Sequence, residues 1–178
     1  LNGEIQSDSL EAKDIYIKST NGSVNFSNVT ATMLEIHEVN GTVNLNGTEL
    51  RDLFVESVNG DIILKDFKAK SVKTSVVNGT VKATVKNLDL KRFEASSGNG
   101  DIKISVPKEL SLNGTVKTNF GAIHERLSQM DSLVEKEDGA KAGIMKHLEF
   151  ERMTDSPEIA SIFATTTRES IYLKDGNE

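Results

Sequence analysis

The chain has 178 residues, 37% of them hydrophobic and 27% charged, with no Cys, no Trp, two Pro and a formal charge of −6. That length suits one domain, or a main body with a small appendage. No apolar run reaches the roughly 18 residues of a membrane helix, no N-terminal stretch joins positive charge to an apolar segment, and a chain without Cys forms no disulfide, Cys-ligated zinc site or thiol nucleophile. The first residue is Leu1, and an upstream domain of the same chain is expected before it.

Fourteen Asn and 13 Gly would fall side by side about once by chance, yet Asn-Gly occurs eight times. Six of these pairs, at Asn2, Asn21, Asn40, Asn59, Asn78 and Asn99, are spaced 19, 19, 19, 19 and 21 residues apart. A fixed period near this length marks a solenoid. Counted from each Asn, apolar residues recur at the fourth position (Ile5, Val24, Val43, Ile62, Val81, Ile102), the fourteenth (Ile15, Leu34, Leu53, Val72) and the sixteenth (Ile17, Ile36, Val55). The sixth position is mixed, with Phe26, Leu45, Leu64, Ala83 and Ile104 beside Ser7. Apolar residues two apart predict strands with one buried face. Each unit therefore reads as corner, strand, polar bend, strand, next corner. The corners are Asn21-Gly22, Asn40-Gly41, Asn59-Gly60, Asn78-Gly79 and Asn99-Gly100, residue types that tolerate positive φ. A two-residue hairpin uses the same dipeptide, but hairpins give antiparallel neighbours and no reason for a constant step. The expected fold is all-β: a parallel β-solenoid (β-helix) of about 19-residue rungs, roughly 30 Å long at 4.8 Å per rung, with the corner Asn amides stacked in a ladder.

The fifth unit has two extra residues and ends Ser96-Ser97-Gly98, which suggests a bulge there. After Gly121 the period fails. Residues 122–137 place Ile123, Leu127, Met130 and Leu133 or Val134 at helical spacing, Lys136 to Gly143 reads as a charged loop, and strand-like alternation returns at Leu148 and Phe150. Residues 158–178 read as a closing rung, because Ser170-Ile171-Tyr172-Leu173-Lys174-Asp175 echoes Asp61-Ile62-Ile63-Leu64-Lys65-Asp66, with Arg168-Glu169 as its corner. The expected division is thus repeats over 1–121, a mixed helix, loop and strand cap over 122–157 that covers the open end of the rod, and the closing rung.

The repeated [ST]-x-Asn-Gly-x-[IV] corners (Ser19 to Val24, Ser57 to Ile62, Ser97 to Ile102) and the closing Thr165-Thr166-Thr167-x-x-Ser170-Ile171-Tyr172-Leu173 resemble the bacterial "putative adhesin" β-strand repeat family, a domain of unknown function. The resemblance extends over nearly the whole chain. Its better-studied members include LiaX-type surface proteins of Gram-positive bacteria, in which a helical region precedes the β-domain. The motif is structural and names corners and strands, not a site; where the family has Gly after the Thr run, this chain has Arg168-Glu169. The resemblance implies a cell-surface or extracellular, envelope-associated protein that senses envelope-active antimicrobial peptides and regulates a membrane-stress response.

Chemistry is sparse. His37, His124 and His147 fall at unrelated points of the repeat and lack an i, i+4 partner, so no metal or other cofactor is expected. Asp61 and Asp101 follow their corners, but the unit between has Thr80, so adjacent rungs build no carboxylate pair and no catalytic residue is named. Charge is more informative: residues 1–64 carry net −7, 65–92 net +6, 93–121 zero and 122–178 net −5. If sequence order is position along the axis, Lys68, Lys70, Lys73, Lys82, Lys86, Lys91 and Arg92 form a basic belt between acidic ends. Lys73 and Arg92, 19 residues apart, would stack as repelling like charges. Such a belt points to an anionic partner: a phosphate-bearing envelope polymer, lipid headgroups or an acidic protein. The competing reading is a solvated polar face. Nucleic acid is not expected, since the chain is acidic and aromatics near the belt are few. The expected function is non-catalytic binding or regulation at the envelope; the alternatives are a surface adhesin or polysaccharide-binding rod, and then a solenoid polysaccharide lyase or hydrolase.

Overall fold

The computed structural model describes residues 3–140, 143–156 and 158–176. Among them, strands form two sheets. The short-strand sheet contains β1 (Ile5–Asp8), β3 (Val24–Ser27), β5 (Val43–Asn46), β7 (Ile62–Phe67), β9 (Val81–Val85), β11 (Ile102–Val106), β13 (Ile123–Arg126) and β17 (Ile171–Asp175). The long-strand sheet contains β2 (Glu11–Asn21), β4 (Thr30–Asn40), β6 (Glu49–Asn59), β8 (Ser71–Asn78), β10 (Arg92–Asn99), β12 (Ser111–Thr118), β14 (Ser132–Ala140), β15 (Gly143–Arg152) and β16 (Ile159–Thr166). Strands alternate in chain order between the two sheets as far as β14, after which β15 and β16 remain in the same sheet as β14 and β17 returns to the other. The protein is all-β, and successive units lie alongside one another in the same direction. Ile5 lies opposite Val24, Val24 opposite Val43, Val43 opposite Ile62 and Ile62 opposite Val81.

The apolar columns meet between the two sheets. Val24, Val43, Ile62, Val81 and Ile102 are each 0% exposed, facing Leu34, Ile36, Leu53 and Val55 from the long-strand sheet. Each such side chain contributes about 1.5–3 kcal/mol by leaving water. At the corners, the amides form the expected ladder: Asn40 Nδ2 donates to Asn21 Oδ1 at 2.9 Å, Asn59 to Asn40 at 2.9 Å, Asn78 to Asn59 at 2.8 Å and Asn99 to Asn78 at 2.7 Å. The glycines serve a different end. Gly60 has φ +145°, and a Cβ there would lie 2.0 Å from the Gly41 carbonyl oxygen, so stacked corners approach too closely for any side chain. Positive φ belongs to Gly22, Gly60, Gly79 and Gly100 and not to the corner Asn residues, whose part is the ladder.

The structure differs from the sequence expectations in four places. First, residues 122–137 hold no helix: Ile123 to Arg126 form β13, paired in parallel with β17, and Ser132–Ala140 is a strand rather than a loop. Pairing against an open sheet edge overrides the local spacing. Leu127 and Met130 pack toward the core from the connection, while Leu133 and Val134 stay 50% and 42% exposed. β14 and β15 form an antiparallel pair that adds to β12 at the end of the long-strand sheet. Second, the closing rung does not follow the sixth unit in space. β16 is inserted between β10 and β12, and β17 between β11 and β13. Sequence order and axial order therefore part at the C-terminal end. Third, there is no bulge at Ser96-Ser97-Gly98: the pairing from Arg92↔Ser71 to Asn99↔Asn78 keeps one step. The extra residues lie in the connection from β9 to β10, where Leu90 is 0% exposed and Asn87 Nδ2 donates to the Ala69 carbonyl at 2.9 Å. The register irregularity falls instead between Leu64 and Phe67. Fourth, that longer step places Lys73 opposite Glu94 and Arg92 opposite Ser71, so the two cations are not stacked.

Candidate binding surface

The seven belt cations do not share a face. Lys73 and Arg92 lie on the long-strand sheet and Lys82 on the short-strand sheet, while Lys68, Lys70, Lys86 and Lys91 occupy the bends between the sheets. Most meet local partners. Lys68 pairs with Glu49 at 3.4 Å, Lys86 with Asp66 at 3.3 Å, Lys91 with Glu158 at 3.4 Å, and Arg92 with Glu94. Lys73 Nζ sits 5.5 Å from the Phe54 ring centroid. Such exposed pairs are worth about 0–1 kcal/mol each, and they leave little charge for a ligand.

A denser set of cations lies on the outward face of the short-strand sheet, where alternate residues point to solvent. One row across the strands reads Ile63, Lys82, Lys103, Tyr172, His124. The next reads Thr84, Ser105, Lys174, Arg126, and Lys65 lies exposed near the end of β7. Lys103 is directly opposite Lys82, and Arg126 directly opposite Lys174. Lys82, Lys174 and Arg126 form no ion pair among the described residues; Lys103 Nζ reaches Asp101 Oδ2 at 2.9 Å. His124 stacks on Tyr172 with ring centroids 4.7 Å apart, and Lys103 Nζ lies 5.0 Å from the same Tyr ring. Of the seven belt residues this face holds only Lys82. Lys65, Lys103, Lys174, Arg126 and the two rings were missed, because Tyr172 and Lys174 reach Lys103 only through insertion of the closing rung. The signal available was the echo of residues 61–66 in 170–175, which aligns Lys174 with Lys65 as an outward position.

The insertion is held by an ion pair between a buried arginine and a half-buried aspartate. Arg152, 0% exposed, donates through Nε to the Leu110 carbonyl at 3.1 Å, through Nη2 to Pro107 at 2.7 Å and through Nη1 to Asp175 Oδ1 at 2.5 Å. Ser128 donates its backbone N–H to Asp175 Oδ2 at 2.8 Å and its hydroxyl at 2.5 Å. Burial pushes the Asp175 carboxyl up, but the hydrogen bonds from Ser128 and Arg152 outweigh it and hold the group below the ordinary carboxylate range.

The remaining ionisable groups singled out in the sequence are tied to the fold. Asp61 Oδ1 accepts from the Thr80 N–H at 2.8 Å, and Asp101 Oδ1 from Ser170 N–H at 3.1 Å, so both brace corners. His37 is clamped between Glu35 at 2.6 Å and Glu56 at 3.1 Å. His147 lies 3.3 Å from Glu149.

Over 98% of this chain and 92% of the other, the fold is similar to the crystal structure of a "putative cell adhesion protein" from Clostridium sporogenes ATCC 15579, at 8% sequence identity and a TM-score of 0.44. The model of the family described as Toastrack DUF4097 matches residues 1–146. With most of its length so matched, the chain belongs to the Toastrack DUF4097 family.

Proposed function

We propose that the chain is a non-catalytic binding and regulatory module at the bacterial cell surface, acting in an envelope-stress or antimicrobial-peptide response as LiaX-type proteins do. It holds an anionic envelope component on the outward face of the short-strand sheet between β7 and β13. The resemblance of its corners to LiaX-type proteins supports the regulatory setting. Asp61, Asp101 and His37, occupied with backbone amides or neighbouring side chains, support a role without catalysis.

One observation carries the ligand's charge: Lys82 faces Lys103, and Lys174 faces Arg126, on neighbouring strands. Like charges in direct register destabilise a sheet by a few tenths of a kcal/mol to about 1 kcal/mol, a cost that a bound anion cancels. The test is cosedimentation with isolated bacterial envelope fragments at increasing salt. Wild-type protein is expected in the pellet at low salt and released as salt rises, and the Lys82→Glu, Lys103→Glu double variant in the supernatant throughout. Equal retention of the variant would remove this face from consideration.

A further inference from the structure

We infer that the anion held on this face is a linear phosphodiester polymer lying across the strands, an assignment that rests on the reading just given. The charge has the outline of a strip. Its cations occupy two adjacent rows, about 7 Å apart, and cross β7, β9, β11, β17 and β13, a run of about 19 Å at the usual interstrand spacing. Asp61 and Asp101 border it on the corner side, and Asp66, paired with Lys86, on the bend side.

Toward the other end of the same sheet the outward residues become neutral and then acidic. The row through Lys65 continues as Asn46, Ser27 and Asp8, and the row through Ile63 as Asn44, Asn25 and Gln6. A planar anionic bilayer laid on this sheet would meet Asp8 and Glu4, both exposed, as well as the cations. A narrow chain following the strip meets the cations and avoids Asp8 and Glu4. Within the strip, the Thr84 and Ser105 hydroxyls stand in register with each other and with Lys174, offering neutral donors beside the charges. Arg126 and Lys174 set a planar fork beside a point charge, a combination suited to successive phosphates. His124 stacks on Tyr172 from β13 and Lys103 lies over the same Tyr ring from β11, so Tyr172 is closed to a nucleobase, which favours a backbone without bases.

The experiment compares three probes by isothermal titration: poly(glycerol phosphate) of increasing length, vesicles of phosphatidylglycerol in phosphatidylcholine, and single-stranded DNA with matched phosphate number. The polymer is expected to bind with affinity rising until the chain spans the five strands and flat beyond. The logarithm of the affinity should fall against the logarithm of salt with a slope of about −3, as for four neutralised phosphates on a flexible chain. Lys82→Glu with Lys103→Glu, and Lys174→Glu with Arg126→Glu, should each weaken binding at least tenfold. The matching Gln substitutions, which add no repulsion, should weaken it less and shorten the salt slope; they replace any reversal that lowers the thermal midpoint. Vesicles bound as tightly as the polymer, with the same dependence on these residues, would overturn the chain-like ligand and leave the anionic face standing. DNA bound more tightly than the polymer would overturn the base-free backbone. Absence of binding to all three, or wild-type affinity in both reversals, would overturn this inference and the reading beneath it together.

Discussion

Glu38 lies only 2% exposed on the core side of β4, in a column that is otherwise hydroxylic or apolar. Ser19 and Ser57 are its in-register neighbours, and Val76 and Ser97 continue the column. Further along, Ser97 Oγ donates to the Gly79 carbonyl at 3.0 Å and Thr166 Oγ1 to Gly100 at 3.2 Å; a hydroxyl two residues before the corner braces the stacked glycine in these two units, while the Ser19 and Ser57 hydroxyls have no partner among the described residues. Glu38 uses one oxygen, accepting the Asn40 N–H at 3.2 Å, and leaves Oε2 with no partner. An orphaned buried acceptor costs about 1–3 kcal/mol, against about 1 kcal/mol for the single hydrogen bond lost on its removal. Glu38→Thr supplies the hydroxyl and methyl already accommodated at Thr166 and should raise the urea midpoint by the equivalent of about 1 kcal/mol. A lower midpoint would mean that a water or ion completes the carboxylate's bonding in solution.

The cap hairpin, the sixth unit and the closing rung are joined at one place, where the Arg152 guanidinium meets the Leu110 and Pro107 carbonyls and Asp175. Arg152→Met keeps the apolar bulk but leaves the two carbonyls without that donor and the Asp175 carboxylate held by Ser128 alone, a loss of about 3 kcal/mol. Its unfolding should begin in β15 and β17, read by hydrogen exchange, rather than in β4. Because the folded-state pKa of Asp175 is depressed, the pair's contribution is complete above the ordinary carboxylate range and is lost as pH falls through the folded value. The wild-type midpoint should therefore fall in acid more steeply than that of the variant; parallel pH profiles would assign the stability to other carboxylates. These same elements were the ones hidden in the sequence. Ile62 or Val43 could be placed because the same position recurs one step away, with partner and step written into the chain. Ile123 has no such repeat: its partner Ile171 stands far along the chain, and choosing that strand over a local helix is a tertiary decision. The belt failed for a related reason. Charge counted along the chain ignores the alternation of strands between two sheets, which sends Lys73 on β8 and Lys82 on β9 to opposite sides of the molecule, and the extra residues after β9 exchange a repelling neighbour for Glu94.

Inserting the last rung between two earlier ones constrains how the whole molecule assembles. The strands from β2 to β8 pair with neighbours one unit away, so each closes a loop of similar, short length. β10 pairs on one side with β8 but on the other with β16, and β12 reaches β10 only across β16. Loop closure grows costlier with separation, and contacts between distant segments form late. A gap must therefore stay open between β10 and β12, and between β11 and β13, until residues 159–175 arrive. The N-terminal units should thus gain amide protection first in pulse-labelled refolding, with Ala95, Ile104 and Val116 protected together with Ala164 and Leu173 in a later, slower phase. Deleting residues 158–178 should leave protection at Leu34 and Val55 nearly unchanged and remove it at Val116 and Leu148. It should also abolish anion binding, because Lys174 is lost and Arg126 no longer has β17 beside it. Simultaneous protection of all units, or a truncated chain that keeps its protected C-terminal half, would mean that β12 can close directly on β10 and that the inserted rung is not what holds the cationic strip together.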